Sequence, residues 1–252
     1  MIDAGAVTAA QARLAGVAFR TPAVPARWLS DIVGGPVYLK CENLQRTGSF
    51  KIRGAYNRIS LLSPEERTRG VVAASAGNHA QGVALAAQLL GVKSTVFMPE
   101  GATLPKIQAT VAYGATVEFS GHTVDEALTA ARAHSDRTGA VLIHPFDHPD
   151  IVAGQATVGR EIAEQHPEVR TVVVCTGGGG LLAGVCLGLA DGAPAARVVG
   201  VQSRDAASYP PSLAAGRPIP LTSMNTMADG IAVARPGDLP FGIIADAGVS
   251  FR

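Results

Sequence analysis

From position 37 onward the chain alternates short β-branched runs with segments of helical apolar spacing, and that alternation limits the fold more than any other feature. A buried strand of four or five residues followed by a helix returns the chain to the same edge of its sheet. The strands therefore run parallel, through right-handed crossovers, with helices covering both faces. Strand-like runs fall at 37–40, 71–74, 94–98, 115–119, 141–143, 171–175 and 198–201. Between them the spacing predicts helices over 51–62, 79–90, 105–113, 123–135, 151–165 and 181–190. Ser63-Pro64-Glu65-Glu66 combines a cap, a first-turn proline and a reciprocal glutamate, so a further short helix begins there. Thr8-x-x-Gln11 reads as a capping box near the start, and Gly91 and Gly114 as helix stops. The fold class is α/β with parallel sheets, and ligands of such sheets sit at the carboxyl ends of strands.

The 252 residues suffice for one large or two modest domains. A net charge of +1 with no basic run gives nucleic acid and anionic membranes nothing to grip electrostatically. No apolar stretch approaches the roughly 18 uncharged residues of a membrane span. Asp3 and Arg13 interrupt the pattern of a signal peptide. Cys41, Cys175 and Cys186 are odd in number and far apart, which suits free thiols in a reducing cytoplasm. Cys175 lies in an expected buried strand, where a thiol is inert.

Thr47-Gly48-Ser49-Phe50-Lys51-Ile52-Arg53-Gly54 breaks a local rule. Thr47 or Ser49 can cap a helix there, yet Lys51 and Arg53 then lie at the positive end of its dipole. Such conflicts tend to mark functional sites. A nearby anion would resolve it, and crowded positive charge would make the Lys51 amine more nucleophilic; two solvated surface cations are the alternative.

Two strand-end loops are candidates for holding anions. Ser75-Ala76-Gly77-Asn78-His79 leads from the 71–74 strand into a helix; its N–H groups suit a carboxylate, and an ordinary turn is the alternative. Gly177, Gly178, Gly179 and Gly180 follow the 171–175 strand and precede Leu181 at the head of a helix. Four glycines in a row lose much entropy on ordering, so a close approach or an unusual dihedral demands them, and their N–H groups form a nest for phosphate. Gly178-x-Gly180-x-x-Ala183 fits a dinucleotide pattern, but the next strand ends in Gln202 rather than an acidic residue, and no Walker lysine follows. His144-Pro145-Phe146-Asp147-His148-Pro149-Asp150 reads as a loop between two lobes rather than a metal cluster. His79, His122, His134 and His166 read as capping or surface residues.

Lysine segment, asparagine loop and tetraglycine loop, in that order, resemble the fold-type II pyridoxal-phosphate enzymes, nearest to their threonine/serine dehydratase branch. The motif from Lys40-Cys41-Glu42-Asn43 through Gly48-Ser49-Phe50-Lys51-x-Arg53-Gly54-Ala55 is similar to the cofactor-lysine motif of that branch. Ser75-Ala76-Gly77-Asn78-His79-Ala80-Gln81-Gly82 is similar to its substrate loop, and His144-Pro145-Phe146-Asp147, Ala153-Gly154-Gln155 and Ala228-Asp229-Gly230 resemble further segments. The resemblance implies two parallel-sheet lobes of the tryptophan-synthase-β-like architecture: a large one of residues 1–69 and 148–252, and a small one of 70–147.

It also implies roles. Lys51 would link pyridoxal 5'-phosphate as a Schiff base and move the α-proton, Phe50 would pack on the ring, and Asn78 would bond the ring oxygen. Gly177, Gly178, Gly179, Gly180 and the Leu181 N–H would hold the phosphate, while Ser75, Ala76, Gly77, Asn78 and His79 would line the carboxylate of a small amino-acid substrate. The implied reaction is α,β-elimination from L-threonine or L-serine, in a cytoplasmic homo-oligomer of amino-acid metabolism such as isoleucine biosynthesis.

Serine racemases of this family have a serine where Ala76 stands, and acidic cation ligands where Gln202 and Ser208 stand, so no metal is expected. A later strand, whose hydroxyl or thiol faces the pyridine nitrogen, has no counterpart before Arg252, which reads as a C-terminal truncation. Other readings are racemisation or β-replacement on the same fold, a nicotinamide dehydrogenase, and a non-catalytic fragment.

Overall fold

The structure, a computed structural model, describes residues 2–252. Helix α1 (Ala4–Leu14) begins under Asp3, whose carboxylate accepts from the Ala6 N–H at 2.7 Å. The capping box expected at Thr8 does not form, because Asp3 caps the helix earlier. Thr8 sits inside it and turns its hydroxyl back to the Ala4 carbonyl. The strands β1 (Ala23–Pro25) and β2 (Tyr38–Lys40) flank α2 (Arg27–Val33) and pair antiparallel, Ala23 opposite Lys40. The 37–40 run thus belongs to a separate ribbon and not to a parallel sheet. Its partner, three residues ending in proline, carries no periodic signal.

From α3 (Lys51–Ser60) onward the order follows the alternation: α4 (Pro64–Arg69), β3 (Val71–Ala74), α5 (Asn78–Leu90), β4 (Ser94–Met98), α6 (Leu104–Ala112), β5 (Thr116–Phe119), α7 (Val124–Thr138) and β6 (Val141–Leu142). Then come α8 (Pro149–Gln165), β7 (Thr171–Cys175), α9 (Gly180–Leu189), β8 (Arg197–Val201), α10 (Tyr209–Ala215), α11 (Asp238–Asp246) and β9 (Ser250–Phe251). The strands β3 to β6 make one parallel sheet in the order β5-β4-β3-β6, and β7, β8 and β9 make a second, also parallel. In the first sheet β3 has β4 on one side and β6 on the other, so the chain reverses direction across the sheet at β3. The crevice at such a point is where ligands bind, and here it holds the 75–79 loop.

The helix α8 runs through the middle of the molecule, against α3 on one side and α9 on the other. Glycines allow that approach: a Cβ on Gly154 would lie 2.6 Å from the Arg53 carbonyl, and one on Gly188 only 2.0 Å from that of Ala156. On the same interface the Arg53 side chain, 1% exposed, lies between two carboxylates. Its Nε and Nη2 donate to Glu42 at 2.9 and 2.8 Å, and its Nη1 donates to Glu161 at 2.6 Å and to Thr157 at 3.0 Å. Lys40 Nζ donates to Glu161 as well, at 2.5 Å, and to the Thr21 carbonyl. Planar guanidinium geometry is what lets one cation serve both acids.

The loop from β6 to α8 joins the two sheets. In it His144 Nδ1 accepts from the N–H groups of Phe146, at 3.2 Å, and Asp147, at 2.7 Å. Asp147 in turn accepts from Asp238 and Leu239 at the head of α11. Pro149 opens α8 rather than excluding helix, with His148 as its cap. Cys175, expected to be buried, is exposed, and so is Val173, because β7 is the outer strand of its sheet and α9 covers one face only. All three cysteines are free. Among the described residues no helix is long and apolar enough to cross a membrane.

Two outcomes follow from these contacts. Arg53→Met should cost about 3–5 kcal/mol in urea denaturation, because it leaves Glu42 without a cation and Glu161 with Lys40 alone; a loss below about 1 kcal/mol would show that the network is not needed. Burial, opposed by Asp147, lowers the His144 pKa from 6.5 to about 4. The folded loop needs the neutral ring, so as pH falls from about 6.5 towards 4 the unfolded chain gains a proton that the folded one refuses. Stability should be flat with respect to His144 above pH 6.5 and decline below it. His144→Asn, which keeps an acceptor but cannot titrate, should flatten that slope.

Candidate active site

The segment before α3 turns sharply. Thr47 adopts φ 62° and ψ 14°, and Gly48 follows at φ 69°. A β-branched residue in the left-handed region is strained by roughly 1–3 kcal/mol, and such strain persists only where surrounding structure enforces it. The Thr47 hydroxyl is buried without a partner and caps nothing. Neither expected cap occupies the cap position, which Phe50 takes without a side-chain hydrogen bond; Ser49 Oγ, one residue earlier, accepts from the Lys51 N–H at 3.4 Å. Phe50, at the head of α3, is half-buried against the core around α9.

Lys51 is half-buried, and neither it nor Arg53 is a solvated surface cation. Arg53 turns into the carboxylate network, so its charge is neutralised internally and takes no part in an anion site. Lys51 Nζ donates to the Pro145 carbonyl at 2.8 Å and lies 5.3 Å from the Phe50 ring centre. The helix α5 backs it at Gly82, where a Cβ would come within 3.0 Å of Lys51 Cβ. Desolvation lowers its pKa to about 8, so roughly a tenth is the neutral, nucleophilic amine at pH 7, some hundreds of times more than for an ordinary lysine.

In the 75–79 loop, Ser75 Oγ accepts from the Gly77 N–H at 3.1 Å. Asn78 is exposed and starts α5, so its N–H and those of His79 and Ala80 have no acceptor within the helix. His79 is neither a surface nor a capping histidine. It is 4% exposed, and its Nε2 lies 2.8 Å from the Ile143 carbonyl, where the neutral ring donates. Burial first, then the Lys51 charge, lowers its pKa to about 3. Its side chain is thus committed to the protein, which leaves its backbone N–H for a ligand.

The tetraglycine loop shows both features that a glycine run implies. Gly179 adopts φ 97°, and its neighbours approach so closely that side chains would collide. A Cβ on Gly178 would meet the Phe146 ring at 2.5 Å, one on Gly180 would meet Phe146 Cβ at 2.8 Å, and one on Gly177 would lie 3.0 Å from Val233. Among the described residues no backbone acceptor takes the N–H groups of Gly177, Gly178 or Gly179. Gly180 and Leu181 open α9 and add their own unpaired N–H groups. Here the chain presents concentrated donors, no side chains and the positive end of a dipole, which fits a phosphate.

Two consecutive residues connect these parts. The Pro145 carbonyl holds the Lys51 amine while Phe146 packs on the glycines, so the lysine and the glycine nest share one short segment. Reading the sequence treated that segment as a loop between lobes. Its role lies in a backbone carbonyl and a ring contact, which the family-like His144-Pro145-Phe146-Asp147 segment does not reveal by its residue types. Among the described residues no three metal-ligating side chains converge. A desolvated lysine, an exposed amide at Asn78 and the N–H nest together fit the aldehyde, ring oxygen and phosphate of pyridoxal phosphate.

Comparisons with known proteins agree. The profile of the pyridoxal-phosphate dependent enzymes matches residues 14–251. An L-threonine ammonia-lyase of Thermotoga maritima is 51% identical over 244 residues, which are 97% of this chain and 61% of that protein. The chain thus spans about three fifths of that curated relative. The structure of processed threonine deaminase isoform 2 from Solanum lycopersicum superposes with a TM-score of 0.94 at 41% identity, over 98% of this chain and 69% of the other. Maize serine racemase gives 0.95 at 37%, over 99% and 75%. With the family profile spanning nearly all of the chain, and a desolvated lysine near a glycine-rich nest of N–H groups, this chain belongs to the pyridoxal-phosphate-dependent enzymes.

Proposed function

We propose that the protein removes water from L-threonine or L-serine by α,β-elimination, releasing an enamine that hydrolyses to 2-oxobutanoate or pyruvate and ammonia. The observation that carries this reading is the Lys51 amine, desolvated and held by Pro145 next to the N–H nest that Phe146 supports. Threonine ammonia-lyase and threonine deaminase relatives support the substrate class.

In this reading Gly177, Gly178, Gly179, Gly180 and the Leu181 N–H hold the phosphate, Asn78 bonds the ring oxygen, and Phe50 packs near the ring. The N–H groups of the 75–79 loop, from Ser75 through Ala76 and Gly77 to His79, hold the substrate carboxylate. Bound pyridoxal phosphate supplies an electron sink for the pair left when the Cα–H bond breaks. Lys51 Nζ takes that Cα proton, and its lowered pKa suits a group that both accepts and returns protons near neutrality. Ala76 has no proton to give from the opposite side, which favours elimination over the racemisation named for the maize relative.

The two parallel sheets support a small domain of residues 70–147 and a large one of 1–69 and 148–252, with the site between them. A cytoplasmic homo-oligomer acting in amino-acid metabolism, isoleucine synthesis among its settings, completes the proposal.

Borohydride reduction of protein incubated with pyridoxal phosphate should leave pyridoxyl mass on the Lys51 peptide; label on another lysine would sink the assignment. The rate at which the aldehyde is captured should rise with pH through a midpoint near 8, since the neutral amine reacts, rather than near the ordinary lysine value of 10.5. With L-serine, 2-oxo acid should form much faster than D-serine in a chiral assay, and comparable rates would favour the racemase reading.

A further inference from the structure

Beneath the tetraglycine loop lies a tyrosine that nothing in the sequence singles out. Tyr209 is fully buried, and its hydroxyl donates to the Gly178 carbonyl at 3.3 Å. The Gly237 N–H donates to the same oxygen at 3.0 Å. The phenol also touches the next residue: a Cβ on Gly179 would lie 1.8 Å from it. The side chain has little freedom to do anything else. Its ring stacks on Phe251 at 4.8 Å with an interplanar angle of 9°, and Phe241 lies beyond at 6.4 Å. Its backbone N–H donates to Gln202 Oε1 at 2.9 Å, so the residue at the end of β8 fixes where α10 begins. Burial raises the phenol pKa, so the hydroxyl remains a donor at any physiological pH.

The geometry points to Tyr209 as a positioning residue for the phosphate cradle, a role that rests on the pyridoxal-phosphate reading above. Among the described residues no peptide bond is cis, so the Gly178 carbonyl and the Gly179 N–H point in opposite directions across one plane. Two donors anchor that carbonyl on the Tyr209 side, and the Gly179 N–H is thereby turned outward, towards the ligand. Glycine at φ 97° has two-sided freedom and would otherwise let this peptide rotate. Tyr209 removes the freedom through its hydroxyl, and its ring blocks collapse of the loop. Gln202 acts one step behind by holding the tyrosine backbone. The part of the ligand that feels this is the phosphate; the aldehyde end is held independently by Lys51.

The test uses the full chain and compares pyridoxal phosphate with pyridoxal, which lacks the phosphate, by absorbance titration. Tyr209→Phe keeps the ring and removes the donor. It should weaken pyridoxal phosphate about 3–10-fold, the range of one hydrogen bond, and leave pyridoxal within about twofold. If the variant does not fold, Gln202→Ala carries the same comparison, with a smaller loss expected for the phosphorylated ligand only. Unchanged affinity for pyridoxal phosphate, or equal losses for both ligands, would overturn the assignment, the latter because it is what general loosening produces. Failure of the wild type to bind pyridoxal phosphate at all would instead overturn the reading on which it rests, and the assignment with it.

Discussion

The Arg53 guanidinium, held by Glu42 from the turn before α3 and by Glu161 from α8, sets where α3 lies, and the rest of the site depends on that helix. Burying a cation and two carboxylates is costly unless nearly every donor is used. Here Nε, Nη1 and Nη2 all reach acceptors, and Lys40 adds a second cation to Glu161. Helix α3 therefore has one placement against α8, with Gly54 and Gly154 letting the backbones meet. Lys51 leaves the first turn of that helix, so its amine is directed by a network of charges two residues further on.

The second dependence runs through the β6–α8 loop. Within five residues it offers the Ile143 carbonyl to His79, the Pro145 carbonyl to Lys51, the Phe146 ring to the glycines and the Asp147 carboxylate to α11. The 75–79 loop, the lysine and the tetraglycine loop come from three distant parts of the chain, and this loop is what they share. His144 keeps it folded by accepting two backbone N–H groups, a job open only to an unprotonated ring.

Much of this was legible from the order of residues. β3, β4 and β7 occupy the expected stretches 71–74, 94–98 and 171–175, each carrying β-branched residues between helical segments. The capping box expected at Ser63 is formed, and Thr123 with Glu126 forms another at the head of α7. The helix after Thr123 runs beyond the expected 135 to Thr138, since Gly139 in the left-handed region is the stop. β6 ends at Leu142, one residue early, and the next residue gives its carbonyl to His79. β1, β9 and α2 escaped notice because their pairing is set by tertiary neighbours; α2 buries none of its residues. In the site, Lys51 and the glycines announced themselves by breaking local rules. Pro145 and Phe146 show only as part of a family-like segment, and Tyr209 not at all, because all three act through a backbone carbonyl or packing rather than by breaking a local rule.

The four consecutive glycines carry a consequence for how such a sequence can drift. Each is pressed by a different partner: Gly177 by Val233 and Ile231, Gly178 and Gly180 by Phe146, Gly179 by Tyr209 and Pro240. A side chain at any one of them needs its own neighbour to shrink in the same step, and at Gly178 and Gly180 that neighbour is shared. The loop is accordingly a point of near-immobility in sequence space, and what variation it tolerates comes as coupled pairs. Position 179 is the most constrained: its backbone lies at φ 97°, where a side chain is strained whatever the size of residue 209, so it should stay glycine even where residue 209 shrinks, while 178 and 180 stay fixed together.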